Sequence, residues 1–278
     1  MEDLKQLELE WEAKGRYGSR AERLARTARW LPYYSLLAEE KRGAAFDAAS
    51  DPTGFFGVLE RENLFPPGAG LLDIGAGTGD YALRFAHAGL CVTALEPSQA
   101  AVRVMEERCA AAGIEGVTAV CGTWEEYEPA QTFDVSFLSL CPAVCNIKEL
   151  EKMEQLTRQT CVIVTVMPGS YDRHRKAMMQ ELNLHPEGMI TDALFYRRVL
   201  EARGRRARLF TAESAHRFTV TKADFMKKYR TYFGIFGVPG ELLEEYLERY
   251  FERHARRGLL QDESKLCLGM LVWNANGD

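Results

Sequence analysis

From Leu71 onward, short apolar runs alternate with stretches of helical periodicity, and this alternation most limits the fold open to the chain. Leu71–Ile74, Val92–Leu95, Val117–Cys121, Phe133–Leu138 and Cys161–Val166 are strand-like, and 79–88, 98–112 and 146–158 read as the helices between them. Strands joined by helices of this length form a parallel sheet covered on both faces. Right-handed crossovers then give an α/β, doubly wound, Rossmann-like sheet with its ligand outside the carboxyl ends of the strands. With 278 residues, 46 % of them hydrophobic, the chain can bury one sizeable core and carry a modest addition.

The additions fall at both ends. Leu4, Leu7 and Trp11 recur at helical spacing. Ser19 with Glu22 forms a capping box for a helix expected to end near Pro32. Asp51-Pro52 opens a third helix, with Phe55, Phe56 and Leu59 on its buried face. Pro66-Pro67-Gly68-Ala69-Gly70 then breaks the chain, setting an N-terminal helical cap (1–66) apart from a main domain (67–278). Further on, Asp192–Arg203 reads as a helix closed by Gly204, and Ala207–Val220 contains a strand. Thr221 with Asp224 caps a helix running to about Phe236, and a second helix, striped by Leu243, Leu247, Tyr250 and Phe251, stops at Gly258. These two helices form an insertion over 221–258 ahead of a final strand, Leu266–Trp273. Their aromatics, with Trp11, Tyr17, Tyr33 and Tyr34 of the cap, suit a lid over the substrate end of the site.

A net charge of −5 argues against a nucleic-acid partner, which requires an excess of Lys and Arg on the docking face. The six arginines within 197–208 read as a solvated helix face and a charged sheet edge rather than as an RNA or acidic-substrate patch. The charged start, Met1-Glu2-Asp3-Leu4-Lys5, is no secretory signal, and no uncharged apolar stretch reaches the ~18 residues of a membrane helix. A soluble cytoplasmic protein without membrane contact is expected. The seven cysteines lack framework spacing and read as reduced thiols, those at 91, 121, 161 and 267 as small hydrophobes in strands. The five histidines (87, 174, 185, 216, 254) show no metal spacing, so no metal site is expected.

The strand Leu71-Leu72-Asp73-Ile74 runs directly into Gly75-Ala76-Gly77-Thr78-Gly79 and then into a helix. Glycines suit a tight turn whose backbone a ligand approaches closely. A dinucleotide fingerprint counted from Gly75 would need Gly or Ala at Asp80, but here the third glycine comes one place early, at Gly79. The stretch from Leu72 to Gly79 resembles motif I of the class I S-adenosylmethionine-dependent methyltransferases, and the likeness extends through the element order from about 71 to 170.

The resemblance implies a seven-stranded sheet whose last strand, Leu266–Trp273, lies antiparallel between the fifth strand and the Ala207–Val220 strand. It implies S-adenosylmethionine as cofactor, with Asp73, Gly75, Ala76, Gly77, Thr78 and Gly79 around the methionine moiety; the glycines would let it lie on the backbone while Asp73 braces the site. Glu96, followed by Pro97 and Ser98, resembles the family's ribose-binding acid, although its position also suits a helix cap. Thr123 stands where many members carry an acid for the adenine amino group, and Glu125 is a substitute acceptor. Trp124 suits either adenine stacking or a buried core position. Ser139-Leu140-Cys141-Pro142 would border the methyl group, and it lacks the second proline and the aromatic of base-methylating enzymes. The run is more similar to bacterial small-molecule methyltransferases, which implies methyl transfer to a small-molecule acceptor. An NAD(P)-dependent oxidoreductase and a non-catalytic S-adenosylmethionine-binding regulatory protein are the alternatives. No residue is assigned as catalytic; Tyr171, His174 and His216 are the candidates if the nucleophile must lose a proton.

Overall fold

The computed structural model describes residues 2–15, 19–51, 53–184 and 191–277; Tyr17, Pro52 and His185 lie outside them. Three helices come first: α1 (Leu4–Gly15), α2 (Arg20–Glu40) and α3 (Phe55–Arg61). The alternating part follows as β1 (Gly70–Ile74), α4 (Ala82–His87), β2 (Cys91–Glu96), α5 (Gln99–Ala112), β3 (Val117–Cys121), β4 (Phe133–Ser139), α6 (Ile147–Gln155) and β5 (Thr157–Val166). The chain ends as β6 (Tyr171–Asp172), α7 (Arg173–Glu181), α8 (Ala193–Ala202), β7 (Arg208–Thr221), α9 (Lys222–Gly234), α10 (Gly240–His254) and β8 (Leu259–Asn274).

β1 to β5 pair in parallel in the order 3-2-1-4-5. The strand order reverses between β1 and β4, the switch point where doubly wound sheets bind ligands. Adjacent residues serve opposite faces of the sheet, as a period of two requires. Leu72 and Ile74 join Trp11, Leu138, Ile163, Phe195 and Tyr196 in one core, while Leu71 joins Phe55, Phe85, Phe137 and Met270 in the other.

The last strand is antiparallel to β5 and, along its other edge, to β7, so it lies between them as the resemblance implies. It starts at Leu259 rather than Leu266, and the two-residue β6 brings the sheet to eight strands rather than seven. Other boundaries also differ. Pro32 lies inside α2 instead of ending it, because Tyr33, Leu37 and Ala38 beyond it are drawn into apolar clusters whose burial outweighs the lost backbone bond. The helix expected at Asp51 starts at Phe55, although Asp51 still accepts from the amide of Gly57 at 2.9 Å. Helix 146–158 ends at Gln155 because Thr157 already belongs to β5. Cys161 and Cys267 are buried, whereas Cys91, at the start of β2, and Cys121, at the end of β3, are exposed.

Candidate cofactor site and its cover

Gly75, Gly77 and Gly79 all have positive φ (74°, 58° and 82°), which disfavours any side chain there. Their surroundings differ. A Cβ on Gly75 would collide with the Sγ of Cys141, and one on Gly79 would come within 2.6 Å of Leu83 Cδ1 and 2.7 Å of Met105 Cγ. Those two glycines are therefore required by the protein's own packing. At Gly77 nothing lies within 4 Å, so this is where the turn is open to a ligand. Thr78 is buried and its carbonyl accepts from Arg108 at 2.7 Å, while the amides of Gly75 and Ala76 both bond the carbonyl of Leu95. Asp80, the residue that breaks the dinucleotide count, pairs with Arg108 at 2.7 Å and with Lys41. Burial works to raise its pKa, but these two cations hold the carboxyl below its usual range.

Two acids end the neighbouring strands. Glu96 is buried; one carboxylate oxygen accepts from the amide of Gly77 at 3.0 Å and the other from the amide of Ser98 at 2.9 Å. Ser98 is itself the N-cap of α5, accepting from Ala101, so Glu96 reaches the glycine turn and braces the helix start together. Asp73 is 2 % exposed and its Oδ2 has no hydrogen-bond partner. Burial, with the nearby carboxylates of Glu96 and Asp80, pushes its pKa up to about 8.

Asp73 thus keeps its proton in the folded state to a pH at which an unfolded Asp, with pKa ~3.9, has long lost it. Its contribution to stability is complete below the unfolded pKa and is lost as pH rises through about 8. Asp73→Asn is expected to flatten the fall in urea midpoint between about pH 5 and pH 8. An unchanged slope would show that this carboxyl does not carry the proton.

At the third strand end, Thr123 donates to Glu126 at 2.8 Å. Trp124 is buried in the core, with the Lys152 ammonium 4.4 Å from its ring centroid. Glu125 is buried and faces Arg23, whose Nε lies 3.7 Å away, beyond hydrogen-bond length, so its Oε1 is left without a hydrogen-bond partner among the described residues. Pro97 is half-buried, its carbonyl facing the Cys121 thiol. Leu140 directly follows β4 with φ of 49°, rare for a leucine, and is exposed. Burial pushes the Cys141 thiol up to about 12, which makes it a packing group against Gly75 rather than a nucleophile.

α2 is tied across these strand ends. Arg23 donates to Glu149 at 2.6 Å, Arg26 to the carbonyl of Pro142 at 3.1 Å, and the Ser35 hydroxyl lies 3.2 Å from that of Ser98. Lys41 and Arg42, just past its end, hold Asp80 and Glu107. The helix therefore runs from the end of β4 over β2 to the α5 side, above the glycine turn. Tyr34 has Cys141, Arg26 and Glu96 as electrostatic neighbours. The sequence shows the means for this cover in Arg23, Arg26, Trp30 and Tyr33, which share one helical face, but the expected stop at Pro32 hid it.

The insertion helices back this cover from outside. Tyr232 packs edge-on against Trp30 and Tyr33, and the contacts of α9 run to α2, α10 and β7. Trp11 packs on Phe195 and Tyr196 of α8, and the Tyr196 hydroxyl in turn donates to the carbonyl of Val144. The general-base candidates are not brought together: His174 is buried with both ring nitrogens bonded, to Tyr250 and to the Gln261 carbonyl, Tyr171 donates to Glu263, and His216 is exposed on β7. In the arginine run, Arg197, Arg198, Arg203, Arg205 and Arg208 each face a carboxylate. Among the described residues no helix is long and apolar enough to cross a membrane.

Residues 71–161 match the family of methyltransferase domains. No curated protein matches the chain in sequence. Its fold is similar to that of coclaurine N-methyltransferase bound to N-methylheliamine and S-adenosylhomocysteine, at 12 % identity and a TM-score of 0.50, with 97 % of this chain and 92 % of that one covered. It is also similar to YjhP from E. coli (13 % identity, TM-score 0.50, 86 % and 98 % covered) and YcgJ from Bacillus subtilis (14 %, 0.50, 78 % and 96 %). The domain match over residues 71–161, the sheet and the glycine turn agree with the resemblance to the class I S-adenosylmethionine-dependent methyltransferases.

Proposed function

We propose that the chain transfers the methyl group of S-adenosylmethionine to a small-molecule acceptor in a chamber beneath α2. The observation that carries this reading is the position of α2, anchored over the ends of β4, β2 and β1 where a macromolecule would otherwise approach. On this reading residues 1–66 act as a cap on a domain spanning 67–278, with the insertion at 221–258 as its outer support.

The residues present fit the cofactor: Gly77 leaves space against the backbone, Asp73 holds an orphaned buried oxygen, and Glu96 offers a carboxylate at the end of β2. When bound, the cofactor supplies a methyl group made electrophilic by its sulfonium. Glu96 receives the ribose hydroxyls, Asp73 and the turn from Gly75 to Gly79, with Ala76 and Thr78, hold the methionine end, and Pro97, Thr123 and Trp124 border the adenine. Leu140 borders the methyl. The protein's contribution is then orientation of the acceptor for in-line attack and exclusion of water.

Glu96→Ala is expected to weaken S-adenosylhomocysteine by ~1.5–3 kcal/mol for each charge-assisted bond lost. Calorimetric titration checks this, and unchanged affinity would leave Glu96 with only its bracing role at Gly77 and Ser98. The acceptor class is tested by incubating protein, methyl-labelled S-adenosylmethionine and cell extract, then dialysing. Label in a dialysable product separated chromatographically from S-adenosylmethionine supports the proposal; label retained on RNA or protein would overturn it.

A further inference from the structure

β7 forms an edge of the sheet. From Arg208 to Thr221 it keeps one unbroken register against β8, and among the described residues no strand pairs with its other side. None of its residues is buried. An unpaired edge of this length offers a row of backbone donors and acceptors to another chain, and soluble proteins blunt such edges with Pro, Lys, a bulge or a short strand. β7 uses none of these devices: 208–221 contains no Pro, Lys or Gly, and its register shows no shift. The arginine run ends at its first residue, Arg208, which pairs with Glu62.

The strand is complementary to itself. When two copies meet antiparallel about a two-fold axis perpendicular to the sheet, residues opposite one another share a face, so the axis passes through a residue. With Ala215 on the axis, Glu213 lies opposite Arg217 of the partner subunit, and the pair occurs twice. Thr211 then faces Thr219, Ser214 faces His216, Ala212 faces Phe218 and Phe210 faces Val220. An axis at Glu213 or Arg217 would set like charges against each other, and one at Ser214 would leave Glu213 opposite Ala215.

The neighbouring strand extends this match. Arg217, its side chain 85 % exposed, stands 3.2 Å from Glu263 directly across on β8, and Glu213, 63 % exposed, stands 3.0 Å from Lys265. These four side chains occupy one face of the hairpin. Joined at Ala215, two copies would set Glu263 and Arg217 in a row with Glu213 and Lys265 of the partner subunit, alternating in sign. On the other face Phe218, exposed although large and apolar, would lie across Ala212 of the partner subunit, beside the buried Leu268 that β8 places opposite Ala212. We propose that β7 pairs with β7 of a second copy of this chain, antiparallel and centred on Ala215, so that one sheet runs through a two-fold dimer.

Sedimentation of the full chain over a concentration series tests this. The wild type is expected to reach twice its mass of 31.4 kDa. Glu213→Arg and Arg217→Glu each set like charges opposite one another at two places, and each should raise the dimer dissociation constant about tenfold or more. Both should stay folded by circular dichroism, because only exposed pairs to Lys265 and Glu263 are lost. Mixing the two variants should restore the dimer. The arginine placed at 213 of one chain then meets the glutamate placed at 217 of the other, while native Arg217 and Glu213 meet at the second position. A wild type that stays monomeric to ~0.1 mM would overturn the proposal. So would a dimer that persists in both single variants, or two monomeric variants that fail to associate when mixed.

Discussion

Gly77→Val is expected to abolish both methyl transfer and the stabilisation that S-adenosylhomocysteine gives the native protein. At 100-fold excess over its Kd a ligand adds ~2.7 kcal/mol. At about 2–4 °C per kcal/mol for a chain of this size, the wild type should gain roughly 5–10 °C. Valine at φ of 58° costs the apoprotein ~1–2 kcal/mol through left-handed strain, and its side chain meets no protein atom near the Cβ. The protein should therefore still fold, with the new methyls standing where the ligand lies. Gly75→Val and Gly79→Val should fail differently, by unfolding, because their side chains strike Cys141 or Leu83 and Met105. A normal ligand shift in Gly77→Val, measured by differential scanning fluorimetry, would remove Gly77 from the site.

Arg23→Ala should be the most destabilising single change in the cover. Arg23 is buried between Glu149 at 2.6 Å and Glu125 at 3.7 Å, both of them buried. Its removal leaves two carboxylates without their cation, a loss of ~3–5 kcal/mol where one partner of a buried pair is deleted. Against a total of about 5–15 kcal/mol that is a large fraction. Glu149→Gln added to Arg23→Ala should recover part of it, because one uncompensated charge is then gone. Urea unfolding of the two variants measures both effects. A loss below about 1 kcal/mol for Arg23→Ala, the range of exposed pairs, would mean that α2 is held elsewhere.

The parallel core was legible because fully buried strands leave continuous apolar runs, such as 161–164, and because Gly75–Gly79 mark the turn between strand and helix. The place of the last strand followed from resemblance, not from pattern; its extra length, from Leu259, is hidden in polar residues that only pairing with β7 orders. The roles within the glycine turn were not legible either. Sequence treats three glycines alike, whereas Cys141, Leu83 and Met105 come from other elements and reserve two of them for packing. Pro32 misled for a similar reason, since the apolar contacts of Tyr33 and Ala38 that carry α2 past it are long-range. Helix α7 follows a two-residue strand too short to give any periodicity.

In crystals of the protein grown with S-adenosylhomocysteine, the homocysteine chain is expected against Gly77 with its polar end toward Asp73, the ribose hydroxyls on Glu96, and the sulfur facing the space under α2 beside Leu140. Ligand density elsewhere on the protein, with the Gly77 amide still bonded to Glu96 and Asp73 still without a partner, would contradict it.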